Sequence, residues 1–439
     1  MLPPPEQIQI VLPVVSCIFL GLALKRPIYG VISYFIILNA KIGDMYPALG
    51  AIRFELVAAV IVLLSIFFHA KGLQNILPNK SSLNKALWTY FAFAMLSVPM
   101  AVNFSVSWAN GGYMLLKLML FYIMVVSSIQ NSADLNKIVW GMILMTSWVA
   151  YEPFYNFLTG RVIELGYGDV AYGRFGAATG HVALANTLSQ GIPLTYYWGL
   201  SQKNKVFKIA AFSLMFLLIV GVVISKSRGG FVALGAAAAG ITYLSKNRLK
   251  TGLWFALAFV FLLPFAGQDY VNRISTIGGG ISQSRSTSDR YMGLVHGISM
   301  MIKRPILGVG IGCYAEARRR FFSYYFYSHN LYGELFGELG LASVTWFLWI
   351  YLLFRQAGQY KRMLMEDHFD TTFCNVLCAV QVGLFTRLVI GNFSHCQMIW
   401  FWFLMAGLTV GIQNITGLKN HAAADGGKLS KATYISSVT

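Results

Sequence analysis

Long apolar runs separated by short polar loops follow one another along most of the chain. Thirteen such runs lie at 8–24, 28–42, 51–69, 86–102, 112–129, 138–158, 182–200, 207–224, 229–245, 252–267, 331–354, 372–390 and 396–416. Most approach the roughly 20 residues that a helix needs to cross the hydrocarbon core of a bilayer. A segment in lipid must satisfy its own backbone groups, which a helix does and an open strand does not. The pattern therefore predicts an all-α polytopic membrane protein with 12 or 13 transmembrane helices, the second run being short.

The composition agrees with a bilayer environment. The chain of 439 residues is 56% hydrophobic and 11% charged, whereas soluble proteins carry about 25% charged residues. Its formal net charge is +18, which in a soluble protein would suggest a nucleic-acid partner. In a membrane protein the same excess is expected in the cytoplasmic loops. We therefore predict that the chain is surrounded by lipid and that it binds no nucleic acid.

The basic loops also predict an orientation. Alternate loops carry clusters of Lys and Arg, at 25–26, 71–85, 203–208, 246–250 and 355–362. The positive-inside rule places these loops in the cytoplasm, which puts the long loop at 268–328 on the outer face. We predict one multi-pass integral membrane domain over residues 1–419. Residues 420–439 are mostly small and polar, which predicts a disordered cytoplasmic tail.

The outer loop at 268–328 has its own pattern. A Gly- and Ser-rich stretch covers 275–288, and an aromatic run covers 321–327. Between them a helix is predicted to start with Asp289 as its N-cap and to stop before Pro305. Its apolar residues recur at helical spacing, at Tyr291, Val295, Ile298 and Ile302. This spacing predicts a helix that lies along the membrane surface.

Lysine and arginine are divided between the two sides of the membrane. In the assigned topology the cytoplasmic side carries 14 Lys and 4 Arg, and the rest of the chain carries 4 Lys and 12 Arg. The twelve arginines are Arg53, Arg161, Arg174, Arg228, Arg273, Arg285, Arg290, Arg304, Arg318, Arg319, Arg320 and Arg387. Arginine is preferred where a planar fork must hold a phosphate or carboxylate and keep its charge. The division predicts an anionic ligand at the outer face.

Three of these arginines are favoured as ligands of the anion, namely Arg228, Arg290 and Arg174. Arg228 lies between two apolar runs and is followed by two glycines, which allow another group to approach closely. Charges of this kind at the membrane are functional candidates by default. Arg318 and Arg319 precede the aromatic run, and they either bind the same ligand or anchor the loop at the membrane interface.

His329 lies at the junction between the outer loop and the next apolar run. A neutral imidazole at this position could accept a proton from an attacking hydroxyl group. The outer carboxylates are scattered and no His-Glu-x-x-His motif is present. We therefore expect neither a metal nor another cofactor, and the arginines would supply positive charge instead.

Three segments in this order resemble the O-antigen ligase and polymerase superfamily. They are SKSRGGFVAL at 225–234, RYMGLVHGISMMIKRPILGVGIG at 290–312 and HNLYGELFGELG at 329–340. The resemblance covers roughly residues 175–415, whereas the earlier spans match in hydropathy alone. The order of the three segments across one large outer loop is more specific than any segment by itself.

Ligases of this family show an Arg-x3-Leu element and a His-Asn/Ser/Gln pair followed, after nine residues, by Gly-x-x-Gly/Thr/Tyr. Arg290 fits the first element with a leucine four residues later. His329, Asn330 and Gly340 fit the second, but Ser343 stands where Gly, Thr or Tyr is usual. Ligase and polymerase therefore both remain open, as does the related family of protein O-glycosylation ligases linked to exosortase systems.

The resemblance implies an inverting, metal-independent glycosyltransferase with a GT-C-like membrane fold. It would lie in a bacterial inner (cytoplasmic) membrane, with its active site facing the periplasm. Its donor would be a glycan on undecaprenyl pyrophosphate, and its acceptor a sugar hydroxyl, on lipid A–core in a ligase. Arg228, Arg290 and Arg174 would hold the pyrophosphate, and His329 would orient or deprotonate the acceptor beside Asn330. Tyr324, Tyr325 and Tyr327 could stack on sugar faces, and the stretch at 275–288 could act as a lid.

Two other functions remain to be considered. A polymerase would use the same chemistry and join lipid-linked repeat units to one another. A flippase for lipid-linked oligosaccharides would bind the same anion without catalysis. Transporters of that kind commonly show internal repeats and broken helices in matching positions, and the sequence shows neither. The sequence therefore favours a transferase over a transporter.

Overall fold

The computed structural model describes residue 5 and residues 9–69, 81–161, 163–165, 168–170, 180–266, 285–366, 371–394 and 397–417. Helices make up most of this part of the chain. In chain order they are α1 (Val11–Ala23), α2 (Pro27–Ala40), α3 (Ile42–Met45), α4 (Pro47–Ala51), α5 (Phe54–His69), α6 (Ser82–Ser97), α7 (Phe104–Ser107), α8 (Tyr113–Ser128), α9 (Ser132–Leu158), α10 (His181–Ser201), α11 (Lys205–Ile224), α12 (Arg228–Leu244), α13 (Arg248–Ala266), α14 (Arg285–Lys303), α15 (Tyr314–Phe322), α16 (Leu331–Leu339), α17 (Ser343–Glu366), α18 (Thr371–Ile390) and α19 (Trp400–Thr416). A π-helical segment, Trp108–Gly112, precedes α8. Two 3₁₀ segments, Gly340–Ala342 and Gly391–Phe393, precede α17 and follow α18.

The predicted all-α polytopic membrane fold is confirmed, since every apolar run falls on one or more of these helices. Within the described part of the chain, four helical stretches are long and apolar enough to cross a membrane by length and composition, namely Phe104–Ser128, Lys205–Ile224, Leu331–Glu366 and Thr371–Phe393. Large apolar side chains such as Phe67, Val206 and Leu249 face outward, with 75%, 70% and 76% of their surface exposed. Lipid is the solvent that suits such a surface.

Other parts of the predicted organisation stay predictions. The count of 12 or 13 spans, the GT-C-like arrangement and the single domain over 1–419 are not tested by the helix assignments. The tail at 420–439 lies outside the described residues.

One short hairpin departs from the helical pattern of the described residues. Strand β1 (Ile163–Leu165) pairs in antiparallel register with β2 (Gly168–Val170), with Glu164 opposite Asp169. The hairpin lies in the connection between α9 and α10, where the sequence is too polar to continue either apolar run.

Helix α10 packs against four other long helices, α9, α11, α12 and α18. The contact with α11 is close because α11 has a glycine there, and a Cβ on Gly221 would lie 2.4 Å from Cδ1 of Leu188. The N-termini of α10 and α12 and the C-terminus of α18 are thereby held near one another. These three helix ends carry the polar residues of the candidate site.

The contact between α14 and α16 brings two backbones together without intervening side chains. A Cβ on Gly293 would lie 2.0 Å from the carbonyl oxygen of Ser328, and one on Gly297 would lie 2.1 Å from that of Gly333. Real Cβ atoms cannot approach so closely, so glycine is required at both positions of α14. This contact fixes where α14 lies relative to the residues that begin α16.

The apolar run at 331–354 is a broken helix rather than a continuous one. Gly340 has a φ of +58°, and a Cβ there would lie 2.5 Å from the carbonyl oxygen of Pro305. The amide of Leu341 donates to the same oxygen at 2.7 Å, and the amide of Val309 donates to Gly337 at 2.9 Å. The sequence predicts one span here, but these bonds end α16 and tie it to the loop at 305–312.

A buried carboxylate holds the other end of that loop. Glu338, of which 2% is exposed, accepts hydrogen bonds from the amides of Gly312 at 2.7 Å and Tyr314 at 3.0 Å. The side-chain amide of Gln397 donates to it as well. Backbone N–H donors stabilise a buried carboxylate that would otherwise be costly. The network fixes the start of α15 and, through it, the aromatic run that follows.

The helix predicted to begin at Asp289 begins earlier. Helix α14 starts at Arg285, so Asp289 lies within the helix. The prediction that Asp289 is the N-cap is therefore wrong. The helix ends at Lys303, two residues before Pro305, as predicted. The four apolar residues on its outer face are exposed by 37% to 72%, because the opposite face packs on α16. Their position along the membrane surface stays a prediction.

Candidate active site

A cavity of about 740 Å³ lies where the ends of several helices meet. Its wall includes the first three turns of α10, the start of α12 and the second turn of α14. The residues just before α16, the end of α18 with the segment after it, and the start of α19 complete the wall. Among the described residues, three arginines and two histidines face this cavity, namely Arg228, Arg290, Arg387, His181 and His329. Asp289 is the one acidic residue among those that line it. The cavity therefore carries a strong positive charge.

Arg228 is the first residue of α12, and the sequence around it explains its position. Ser227 caps the helix, because its hydroxyl oxygen accepts from the amide of Gly230 at 3.3 Å. Lys226 turns the chain with a φ of +49°. The start of α12 therefore points at the cavity with both a guanidinium group and the positive end of the helix dipole. This is a favourable arrangement for an anion.

Arg290 is joined to the same place through Phe393. The guanidinium carbon of Arg290 lies 5.6 Å from the centre of the Phe393 ring. Phe393 also lies close to the start of α12, since a Cβ on Gly229 would lie 3.1 Å from the Cβ of Phe393. One residue thus contacts both the start of α12 and the second turn of α14, and Arg228, Arg290 and Phe393 line the same cavity.

His329 lies at the wall of the cavity with a φ of +48°, a conformation that few residues other than glycine adopt. The centre of its ring lies 4.9 Å from that of Phe326. Burial lowers the pKa of His329 below its ordinary value, and the charges of Arg290 and Arg318 lower it further, whereas Asp289 acts in the opposite direction. The imidazole is therefore neutral near pH 7 and able to accept a proton.

The spacing of His329, Asn330 and Gly340 has a structural explanation. Asn330 is the N-cap of α16, because its side-chain oxygen accepts from the amides of Tyr332 and Gly333, both at 3.0 Å. Gly340 ends the same nine-residue helix in a left-handed conformation. The motif therefore encodes a short helix with both of its ends capped. Asn330, predicted to bind substrate, is buried and does not line the cavity.

Arg318, also predicted to bind substrate, is buried inside the protein, with 1% of its surface exposed. Its Nε donates to Nδ1 of His296 at 2.8 Å, and Nη1 donates to the carbonyl oxygen of Tyr327 at 3.3 Å. Its guanidinium carbon lies 4.8 Å from the centre of the Tyr324 ring. These contacts hold the aromatic run in place, so the structure gives Arg318 an internal role.

The remaining predicted residues lie away from the cavity wall. Arg319 is exposed and forms an ion pair with Glu316 at 2.6 Å. Tyr325 and Tyr327 are exposed by 56% and 48%, and the centres of their rings lie 6.3 Å apart. Between them in the sequence, Phe326 lines the cavity, whereas neither tyrosine is among its lining residues.

Two predicted elements cannot be placed. Arg174 lies outside the described residues, and so does most of the stretch at 275–288. Within the described ranges no group of three or more His, Cys, Asp or Glu is placed to hold a metal ion. The expected metal-independent reaction stays a prediction.

Several residues of the cavity were not predicted from the sequence. Arg387 was counted among the twelve arginines but was not singled out, although it is a charge inside the apolar run at 372–390. Intramembrane charges are functional candidates, so that signal was available. His181 begins α10, and Asn186 and Gln190 follow it on the same face of the helix. Polar residues at helical spacing in an otherwise apolar run were the available signal here.

Fold and cavity together define a polytopic membrane protein with a cationic site suited to an anionic ligand. Residues 213–349 match the family model described as O-antigen ligase. The match includes Arg228, Arg290 and His329 and ends before Arg387. It confirms the resemblance to the O-antigen ligase and polymerase superfamily and supports a membrane enzyme of that type. A search of the curated proteins gives no match.

Proposed function

We propose that this protein is an O-antigen ligase that transfers a glycan from undecaprenyl pyrophosphate to a sugar hydroxyl of lipid A–core. The reaction would invert the anomeric carbon and need no metal, at a site facing the periplasm of a bacterial inner membrane. One observation carries the proposal. Arg228, Arg290 and His329, which come from the three segments that resemble the superfamily, face one cavity of about 740 Å³.

The two arginines suit the donor's pyrophosphate. Guanidinium groups form strong charge-assisted hydrogen bonds with phosphate oxygens. They remain positive as the diphosphate leaves and its negative charge grows, so they stabilise the transition state more than the ground state. The start of α12 beside Arg228 adds the N–H groups and the dipole of a helix terminus. Phe393 contacts Arg290 at the wall of the same cavity.

His329 suits the role of general base. An acceptor hydroxyl would lose its proton to the neutral imidazole while its oxygen bonds to the anomeric carbon. The bond from that carbon to the diphosphate oxygen would break on the opposite face, and undecaprenyl diphosphate would leave. The lowered pKa of His329 keeps the imidazole in the neutral form that this step needs at neutral pH. Attack from the face opposite the leaving group gives inversion.

The acceptor distinguishes a ligase from a polymerase, and both use the same cavity. The motif at Arg290 and the capped helix after His329 favour the ligase, whose family shows these elements. A polymerase would place the terminal sugar of a second lipid-linked repeat unit against His329 instead. A flippase would bind the same diphosphate but would not need a neutral histidine beside it.

The experiment uses the purified full-length protein in detergent with an undecaprenyl-pyrophosphate-linked oligosaccharide and EDTA, with lipid A–core or with no added acceptor. A product formed with lipid A–core alone supports the ligase. A ladder that grows without added acceptor supports the polymerase and refutes the ligase. If neither mixture yields product, a flipping assay in vesicles with the same lipid-linked oligosaccharide tests the transporter, and movement across the bilayer would refute the transferase.

A further inference from the structure

One charged group of the cavity, Arg387, lies outside the segment that matches the family model. Arg387 lies in the last turn of α18, lines the cavity and exposes 3% of its surface. Its Nε and Nη1 are buried and have no hydrogen-bond partner among the described residues. In the same part of the chain no carboxylate lies within 4.0 Å of its guanidinium nitrogens, the limit for an ion pair, although Asp289 lines the cavity too.

A buried charge without a partner is costly, because it has lost its hydration and gained nothing in return. Lysine or glutamate can avoid this cost by shifting its pKa and becoming neutral, but arginine stays charged in proteins. The carbonyl groups at the C-terminus of α18 favour a cation in the last turn, but this effect is small beside the loss of hydration. The charge of Arg387 therefore needs an anion from elsewhere.

The second buried arginine of this region shows the difference. Arg318 is buried to the same degree, but it donates to His296 and to the carbonyl oxygen of Tyr327 and stacks on an aromatic ring. Its position is explained by partners within the protein. Arg387 has the burial without the partners, and it borders an open space of about 740 Å³. The two guanidinium groups thus have different roles.

We propose that Arg387 is a buried phosphate subsite of the cavity, which binds an oxygen of the diphosphate group together with Arg228 and Arg290. That the phosphate belongs to a lipid-linked donor rests on the proposed function. That the subsite takes a phosphate follows from its own charge and burial. The ligand supplies the missing negative charge, so the empty protein is destabilised at this point and the occupied protein is not. Binding of a diphosphate should therefore raise the stability of the fold.

Inorganic pyrophosphate is the probe, and thermal unfolding of the full-length protein in detergent is the readout. The midpoint of unfolding should rise with pyrophosphate concentration in the wild type. Arg387→Met removes the charge at similar volume, so its midpoint without pyrophosphate should equal or exceed that of the wild type. The concentration of pyrophosphate that gives half of the stabilisation should rise about tenfold or more.

The matched control is Arg318→Met, the other buried arginine. It should lower the midpoint without pyrophosphate and leave the half-stabilising concentration unchanged. If Arg387→Met instead had a lower unfolding midpoint and an unchanged affinity for pyrophosphate, the proposal would be overturned. So would a wild-type midpoint that does not respond to pyrophosphate. If Arg387→Met cannot be purified in folded form, Arg387→Lys is tested in its place. This variant replaces the planar guanidinium fork with a point charge, and an unchanged affinity for pyrophosphate would refute the subsite.

The test separates this inference from the proposed function. Pyrophosphate binding needs neither glycan nor acceptor, so it is measured independently of transfer. Binding through Arg387 without any glycan product would contradict the transferase and support the subsite. Transfer by Arg387→Met with wild-type kcat and KM would refute the subsite and support the transferase.

Discussion

The guanidinium group of Arg290 lies over the ring of Phe393, with 5.6 Å between the guanidinium carbon and the ring centre. This contact joins α14 to the segment that follows α18, and it borders the same cavity as Arg228 and His329. A flexible arginine side chain loses conformational entropy when it binds a phosphate, whereas an arginine side chain already held over a ring loses less. The position of Phe393 therefore bears directly on the activity of the site.

Replacing Phe393 with alanine should lower kcat/KM for the donor about tenfold, which corresponds to about 1.4 kcal/mol. The fold should persist because Phe393 is only partly buried. Phe393→Tyr keeps the ring and serves as the control, and we expect its kcat/KM to stay within about twofold of the wild type. Equal losses in both variants would show that the ring contact with Arg290 is not what matters.

The rate of transfer should depend on the ionisation of His329. Because its pKa is lowered, activity should rise with pH through a value below about 6.5, the ordinary value for histidine. Asp289 is the group that raises this pKa, so Asp289→Asn should move the acidic limb of the kcat/KM profile to lower pH. A limb that stays in place, or moves to higher pH, would rule out His329 as the titrating base.

The same shift has a consequence for stability. The pKa of His329 is lower in the folded protein than in the unfolded chain, so the unfolded chain binds the proton more readily. The stabilisation that His329 contributes is fully present above the pKa that it has in the unfolded chain. It is lost as the pH falls through the pKa that it has in the folded protein. His329→Gln should therefore make the unfolding midpoint less dependent on pH on the acidic side. An unchanged dependence would contradict the burial of the neutral form.

Asn330 should act through the helix that it caps rather than through substrate. Asn330→Ala removes the cap of α16 and should cost about 1 kcal/mol of stability, whereas Asn330→Asp keeps an oxygen acceptor there and should cost little. Activity should follow stability in the two variants, with KM for either substrate unchanged in Asn330→Asp. A large rise in KM in the stable aspartate variant would instead show contact with substrate.

The close approach of α14 to α16 predicts a position with no tolerance for a side chain. A Cβ on Gly297 would lie 2.1 Å from a backbone oxygen of α16, so Gly297→Ala must push the helices apart. We expect a loss of stability of about 1–3 kcal/mol, typical of overpacking, and a loss of transfer because Arg290 moves with α14. Gly235→Ala is the control, since no atom lies within 4 Å of a Cβ there. Equal midpoints of thermal unfolding in the two variants would contradict this account.

Much of the fold could be predicted because lipid constrains the sequence strongly. A run of about 20 apolar residues has few alternatives to a helix, and the apolar runs all fall on helices. The breaks were harder to predict. Gly340 interrupts an apolar run, and its effect depends on the carbonyl oxygen of Pro305, which only the folded chain brings near. The first turn of α14 likewise precedes Asp289, because a capping residue type also occurs inside helices.

The candidate site was predicted in part. Arg228, Arg290 and His329 do face one cavity, but Arg318, the same residue type, is buried inside the protein. Whether a guanidinium faces the cavity or the interior depends on partners such as His296, which no local pattern reveals. Arg387 was not predicted to bind the ligand, although a charge inside an apolar run is itself a signal of function.

The central claim is that the cavity at Arg290 and His329 carries out glycan transfer. The most direct measurement compares transfer to lipid A–core by the wild type, Arg290→Ala, His329→Ala and the exposed control Arg319→Gln, each with its midpoint of thermal unfolding. We predict that both alanine variants remain folded and lose transfer by about 10²-fold or more, while the control retains it. Transfer at wild-type rates in both folded alanine variants would contradict the account.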